Sequence, residues 1–461
     1  MKTCANTTWP LLRLCYQPLK QLSLSLLGVG LACLSSLGYA LDNVSLVADI
    51  NQQVVSPTLC SQPVLAGSAL YFCAERALDG QELWKYDAQT GYSQVLDLAK
   101  GVANASPEKI TSIGNTLYFV ANDGLSGKEL WKTDGTAAGT QLVKDITSSG
   151  GSTVFANFTV LGSRLFFTVD DTTYGKELWV SDGTPTGTQM VKDLYAGSNS
   201  SKPAYLTVFN NALYFSADDG QKGAELWKTD GTATGTVLVK DIYAGSGNGS
   251  PKNLFVWGST LYFVADDGST GRELWKSDGT SAGTSLLKDI AEAPFGSYAE
   301  GFTVLNNNLF FNAYTYSNGW ELWKTDGTAA GTVLVKDIEP GNANSYPGNL
   351  TAFNNKLYFH ASTVASGDEL WVSDGTEAGT TQFKDLAAGN LSSGVSNLLV
   401  FNNHLYFWAL SADKWQLWRT NDNASDLISV LDVADRYRQG LISLGSNLYF
   451  GQISLWQRSA C

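Results

Sequence analysis

Histidine is almost missing from this chain: His360 and His404 are the only two in 461 residues. A zinc centre built from imidazoles is therefore not expected. Basic charge is also scarce, at 30 Lys and Arg against 43 Asp and Glu. So acidic a surface repels phosphate backbones and anionic lipid, which argues against nucleic acid as a partner. No apolar run reaches the roughly 20 residues of a membrane span; the best candidate, Leu22 to Leu34, has 13. No apolar period of 3.6 residues continues long enough for a helix. Beyond residue 40 there is no phosphate-binding glycine loop, H-E-x-x-H or nucleophile elbow.

The first forty residues stand apart. Lys2, Arg13 and Lys20 are their only charges, the apolar run follows, and Gly38-Tyr39-Ala40 puts small residues at the two positions a signal peptidase inspects. Residues 1–40 are expected to be an export signal cut after Ala40, leaving no transmembrane span in the mature chain. A lipid anchor on Cys33 is disfavoured, because Gly30-Leu31-Ala32 departs from the usual aliphatic-small-small pattern. Cleavage would leave 27 basic against 43 acidic residues, a net charge of −16. It would also leave three cysteines, Cys60, Cys73 and Cys461, in an oxidising compartment.

What the chain has in abundance is repetition. ELWKTDGTAAGT occurs at Glu129 to Thr140 and again at Glu321 to Thr332. ELW with Asp-Gly-Thr recurs from Glu177, Glu225, Glu273 and Glu369, and weaker versions surround Trp84 and Trp418. Tryptophans at 84, 131, 179, 227, 275, 323, 371 and 418 are spaced by 47 or 48, with a shorter echo at Ser454-Leu455-Trp456. A fixed period of this size means one supersecondary unit copied along the chain. Within a unit every segment reads as strand. Leu254 to Trp257 and Leu261 to Val264 flank a Gly258-Ser259 turn, and Glu273 to Lys276 and Leu286 to Ile290 follow. Other copies place Asn210-Asn211, Asn354-Asn355 and Asn402-Asn403 at that turn, where left-handed backbone is needed.

Four antiparallel strands, a to d, per unit of 40–50 residues are the mark of a β-propeller blade. The expected fold is all-β: one propeller domain over residues 41–461, with repeats of about 48 residues from 62 to 458. The b-strand phrase Leu-[Tyr/Phe]-Phe occurs nine times, which predicts nine blades, with eight as the alternative. Fourth-strand phrases after a tryptophan number eight, and Ser45 to Ile50 resembles the missing one. Residues 45–50 are thus expected to complete the last blade, whose other strands would come from Leu441 to Arg458, and so close the ring.

The phrase resembles that of the ELWxxDGT repeat proteins, secreted bacterial proteins with propeller-like repeats, over nearly all of the chain beyond residue 40. The resemblance implies export and binding, and attaches no activity to the motif.

Catalysis needs one placed group, whereas the motif carboxylates occur in unit after unit. Glu129, Glu177, Glu225, Glu273, Glu321 and Glu369 are therefore read as architectural, as is the Asp-Gly-Thr turn. Lys144-Asp145, Lys192-Asp193, Lys240-Asp241, Lys288-Asp289 and Lys336-Asp337 are read as charge that blunts an outer strand edge. Asn122-Asp123, Asp170-Asp171, Asp218-Asp219 and Asp266-Asp267 offer oxygen to calcium, but match no known calcium loop; no cofactor is expected, with calcium as the alternative.

Function is sought where the copies disagree. The d–a and b–c connections should share one face, and there Phe295, Tyr298, Tyr314, Tyr316 and Trp320 replace the usual turn residues. They are the candidate ligand-binding residues, by stacking on a sugar ring or a partner's anchor, although mutual packing also explains them. After the Leu-aromatic-Phe phrase, Asn312, His360 and Trp408 drift as well. Cys60 and Cys73 lie seven before and six after Gly67, the centre of the first a–b turn, and are expected to form a disulfide, with Cys461 left over. The functional expectation is an exported, non-enzymatic protein, periplasmic or at the cell surface, that binds a polysaccharide or a surface protein through its variable face. A glycan-active hydrolase or lyase, with Glu292 and Glu300 as candidate acids, is the alternative, and a structural part of an envelope assembly the third possibility.

Overall fold

In the computed structural model, residues 23–24, 30–35, 44–49, 60–61, 63–76, 78–87, 89–146, 154–433, 438–444 and 447–452 are described, those before residue 60 by backbone pairing alone. The molecule is all-β, built of blade-like sheets: eight have four strands, and one is widened to five by Ser23–Leu24 lying parallel to Ile428–Val433. The fifth sheet is typical, with strands Lys252–Trp257, Thr260–Asp266, Arg272–Ser277 and Ser285–Lys288 side by side in chain order. First strands of successive sheets are neighbours, and Thr303 Oγ1 donates to Leu350 O across one such junction at 2.9 Å.

The uninterrupted apolar b strands follow from this stacking, because each face of a sheet meets another sheet. Leu261, Phe263, Ala265 and Trp275 pack back onto Phe209, Tyr214, Leu226 and Val239 of the fourth sheet. Tyr262, Val264 and Leu274 pack forward onto Leu309, Phe311 and Trp323 of the sixth. Trp and Leu can thus be adjacent in strand c because neither faces water.

The turns account for the rest of the motif. Asp278 Oδ1 accepts from Thr280 N at 2.8 Å and from its hydroxyl at 2.7 Å, and Thr280 Oγ1 accepts from Gly283 N at 3.0 Å. Gly279 has φ +91°, and a Cβ there would fall 2.3 Å from the Tyr214 hydroxyl of the preceding sheet, so only glycine fits. Asn210 and Asn211 both take left-handed φ, 46° and 57°, as the two-residue hairpin requires.

Two expectations need correction. The d strands are the outer strands, as expected, but most of their lysines do more than guard an edge. Lys144, Lys288 and Lys336 reach the carbonyls of Thr188, Thr332 and Thr380 in the next sheet at 2.7, 2.7 and 3.0 Å. A flexible ammonium stem beside an unpaired turn carbonyl makes a seam bond as well. The last sheet also differs. Val44–Asp49 is its outer strand, and Arg438–Leu444 and Asn447–Gln452 are its other side, as expected. Its third strand, however, is Gly30–Ser35, from the segment read as a signal, paired with Asn447–Gln452 from Leu31↔Gly451 to Ser35↔Asn447. An inner strand must pair both edges, and this apolar run does so. Ser454, Leu455, Trp456 and Cys461 lie outside the described residues, as do Gly38, Tyr39 and Ala40.

The Cys60–Cys73 disulfide is present, with Cα atoms 5.1 Å apart. Cys60 N donates to Cys73 O at 3.2 Å, so the bridge ties the segment before the first sheet to that sheet's b strand.

Candidate functional site on the loop face

The motif glutamates are fully buried and bind main chain. Glu273 accepts from Ile290 N, Ala291 N and Ser297 N at 3.0, 3.2 and 2.9 Å, and from Ser297 Oγ at 2.6 Å. Glu321 does the same with Ile338, Glu339 and Ser345. Each carboxylate thus clamps the d–a loop onto strand c. Burial pushes the carboxyls of Glu82, Glu225, Glu273 and Glu321 up to about 7, against the lowering effect of those donors. The clamp also fixes the loop face: Tyr298 N donates to Arg272 O, and Tyr314 N to Ser297 O, so the d–a and b–c connections of the sixth sheet lie together.

The sixth sheet comprises Glu300–Leu305, Asn308–Thr315, Gly319–Thr325 and Val333–Lys336; the seventh begins with Gly348–Phe353, Lys356–Thr363 and Gly367–Ser373. The five candidate aromatics do meet here, in two groups. Phe295 stacks on Tyr316, with centroids 6.1 Å apart. Trp320 packs on Tyr314 at 6.0 Å and on Tyr298 at 6.4 Å. A sixth ring completes the second group: Tyr346, 28° from parallel to Trp320 at 6.4 Å. Mutual packing is thus real, yet Phe295, Tyr298, Tyr316 and Tyr346 each keep 48–69% of their surface exposed.

Tyr346 went unnoticed in the sequence, although it stands 48 residues after Tyr298. Both have left-handed φ, 47° and 50°, but so do Ser106, Lys202 and Ser250 at the equivalent positions. The conformation belongs to the repeat, and only the ring is special to these two copies.

Beyond Tyr346 lies a pair that does not repeat. His360 Nδ1 is 2.9 Å from Asp368 Oδ1, each side chain about one-quarter exposed. The carboxylate favours the tautomer with the proton on Nδ1. A Cβ on Gly348 would lie 2.3 Å from His360 Nε2, so glycine there makes room for the ring. Glu292 lies in the d–a loop with φ +56°, and Glu300 opens the first strand of the sixth sheet. For calcium, Asp219 Oδ1 already accepts from Gln221 N and Lys222 N, and Asp267 Oδ1 from Ser269 N and Thr270 N. Among the described residues, no three His, Cys, Asp or Glu side chains converge as a metal site would require, and no helix is long and apolar enough to cross a membrane.

No family model matches the chain, and neither does any curated protein. Solved structures do resemble it. One, from a study of two prolyl endopeptidases, is 12% identical with a TM-score of 0.41, covering 73% of this chain and 52% of that one. Puromycin hydrolase is 15% identical with a TM-score of 0.39, covering 76% and 58%. A puromycin-hydrolyzing peptidase of Mycobacterium tuberculosis is 12% identical with a TM-score of 0.38, covering 77% and 57%. The chain spans little more than half the length of these proteins, and likeness at this level carries nothing about activity. All three are named as peptidases or hydrolases. The reading of the chain as an exported, non-enzymatic binder of a polysaccharide or surface protein, with a glycan-active hydrolase or lyase as alternative, is withdrawn on that finding.

Proposed function

We propose that this chain is a rigid structural component of a cell-envelope assembly: an exported ring of nine blades, grouped with the ELWxxDGT repeat proteins whose phrase it carries. Seam bonding is the observation that supports this reading. Lys85, Lys132, Lys228, Lys276 and Lys324 each donate to the turn-glycine carbonyl of the following sheet, at 2.7–2.9 Å. Where strand c carries Val180 instead, Arg164 reaches Asp230 O at 2.7 Å; where it carries Val372, Lys356 reaches Asp422 Oδ1 at 3.0 Å. Sheets latched at seam after seam behave as one body, which suits a part that must hold its shape.

Export through residues 1–40 would place residues 41–461 in the periplasm or outside the cell. Cleavage would remove Gly30–Ser35. Cys461 is then the odd thiol, available for a bond to a neighbouring subunit. Non-reducing electrophoresis and size analysis of envelope extracts test the reading. The chain is expected in an assembly larger than a monomer, weakened by Cys461→Ser and by the triple change Lys132→Ala, Lys228→Ala, Lys276→Ala. A free monomer in those extracts overturns it.

A further inference from the structure

We propose that the seam between the sixth and seventh sheets binds a small planar ring compound carrying one N–H or O–H donor. The inference stands apart from the structural role, since it concerns groups the ring does not need. Asn312 and Tyr314 are two apart on one strand and so share a face, and Trp320 is the direct cross-strand partner of Tyr314. All three therefore look toward the seventh sheet, where Tyr346 stacks on Trp320. Asn312 Nδ2 donates to Pro347 O, the residue after Tyr346, at 2.7 Å.

That bond orients the amide, because only the NH2 side can serve a carbonyl. Asn312 Oδ1 is thereby left as a free acceptor: the residue is 8% exposed, Oδ1 itself is buried, and it has no partner among the described residues. A buried acceptor without a donor is costly. The fold does not demand it, since Val120 and Val264 occupy the same position in the second and fifth sheets. An acceptor beneath a set of half-exposed rings is what a flat ligand with a single donor would recognise: the ring stacks on Tyr346 and Trp320, and its edge donates to Oδ1.

Calorimetric titration of the full chain with indole, with 1-methylindole and with methyl glucoside tests this. Indole should bind, and 1-methylindole, which keeps the ring and loses the donor, about tenfold more weakly. Asn312→Val should bring indole down to the 1-methylindole level, Asn312→Asp should keep the preference, and Trp320→Ala should weaken both. Equal binding of the two indoles, binding of neither, or tighter binding of methyl glucoside overturns the proposal. Should Asn312→Val fail to fold, the comparison of the two indoles on the unaltered chain still decides.

Discussion

The second to fifth sheets and the sixth to eighth share one skeleton and differ at its margin. Before the motif glutamate (a glutamine in the eighth sheet), the first group has Lys128, Lys176, Ala224 and Arg272, and the second has Trp320, Asp368 and Trp415. After the Leu-aromatic-Phe phrase, the first group has Val120, Thr168, Ser216 and Val264, and the second has Asn312, His360 and Trp408. One step away, Glu273 and Glu321 are buried alike, with equivalent partners. The buried glutamate and the turn are thus held, whereas the drift falls on the position before the glutamate and on a buried seam position of strand b, where Asn312 and Trp408 stand in for Val120 and Val264.

The sharpest test of that contrast compares Glu273→Ala with Trp320→Ala. The first leaves several buried N–H groups unpaired and should cost roughly 3–5 kcal/mol; the second should cost under about 1 kcal/mol. Denaturant unfolding of both variants reads the difference, and equal losses would erase the distinction between the two classes of position. Next in size, Gly279→Ala forces a left-handed alanine against the Tyr214 hydroxyl and should cost about 3 kcal/mol. Gly258→Ala shares the left-handed φ but meets nothing within 4 Å, so it should cost about 1 kcal/mol in the same assay.

The latches allow a swap. Arg164→Ala should lose about 1 kcal/mol, and adding Val180→Lys, which restores the usual strand-c lysine, should recover it. Failure of the double variant to recover would mean that the third seam is held otherwise.

The smallest effect is in pH. Glu82, Glu225, Glu273 and Glu321 have folded pKa values near 7, above the ordinary 4.5, so the folded chain holds more protons than the unfolded one between those values. Stability therefore falls as pH rises from about 4.5 to 7. Asp134, Asp230, Asp278 and Asp326 are shifted the other way, down from 3.8, chiefly by their threonine hydroxyls. Their contribution is present above 3.8 and is lost as pH falls below it. Melting temperature should thus peak near pH 4 and fall as pH rises towards 7, and Glu273→Gln should flatten that fall. A peak at pH 7 or above would contradict the assignment.

Much of this was legible in the letters. A period of 48, four β-favouring segments per unit and Asn-Asn or Gly-Ser turns suffice to predict stacked four-stranded sheets, because strand, turn and repeat signals are local. The aromatic group was legible as departure from the repeat, and the 48-residue spacing from Tyr298 to Tyr346 is the signal in the letters for its sixth ring. The d-strand lysines read from the letters as edge protection, because their partners lie 44 residues away in sequence and no local pattern points across a seam.

By itself, then, the sequence determined the class of fold, the turn chemistry and the burial of Trp and Leu on opposite faces of strand c. All of these follow from backbone preferences and side-chain periodicity within a single unit. Only the tertiary structure decided what each motif carboxylate holds, which sheet each lysine grips, that His360 faces Asp368, and which N-terminal strand lies inside the last sheet. Those outcomes depend on distances between units, and distance across a seam is set by packing, which no single repeat contains.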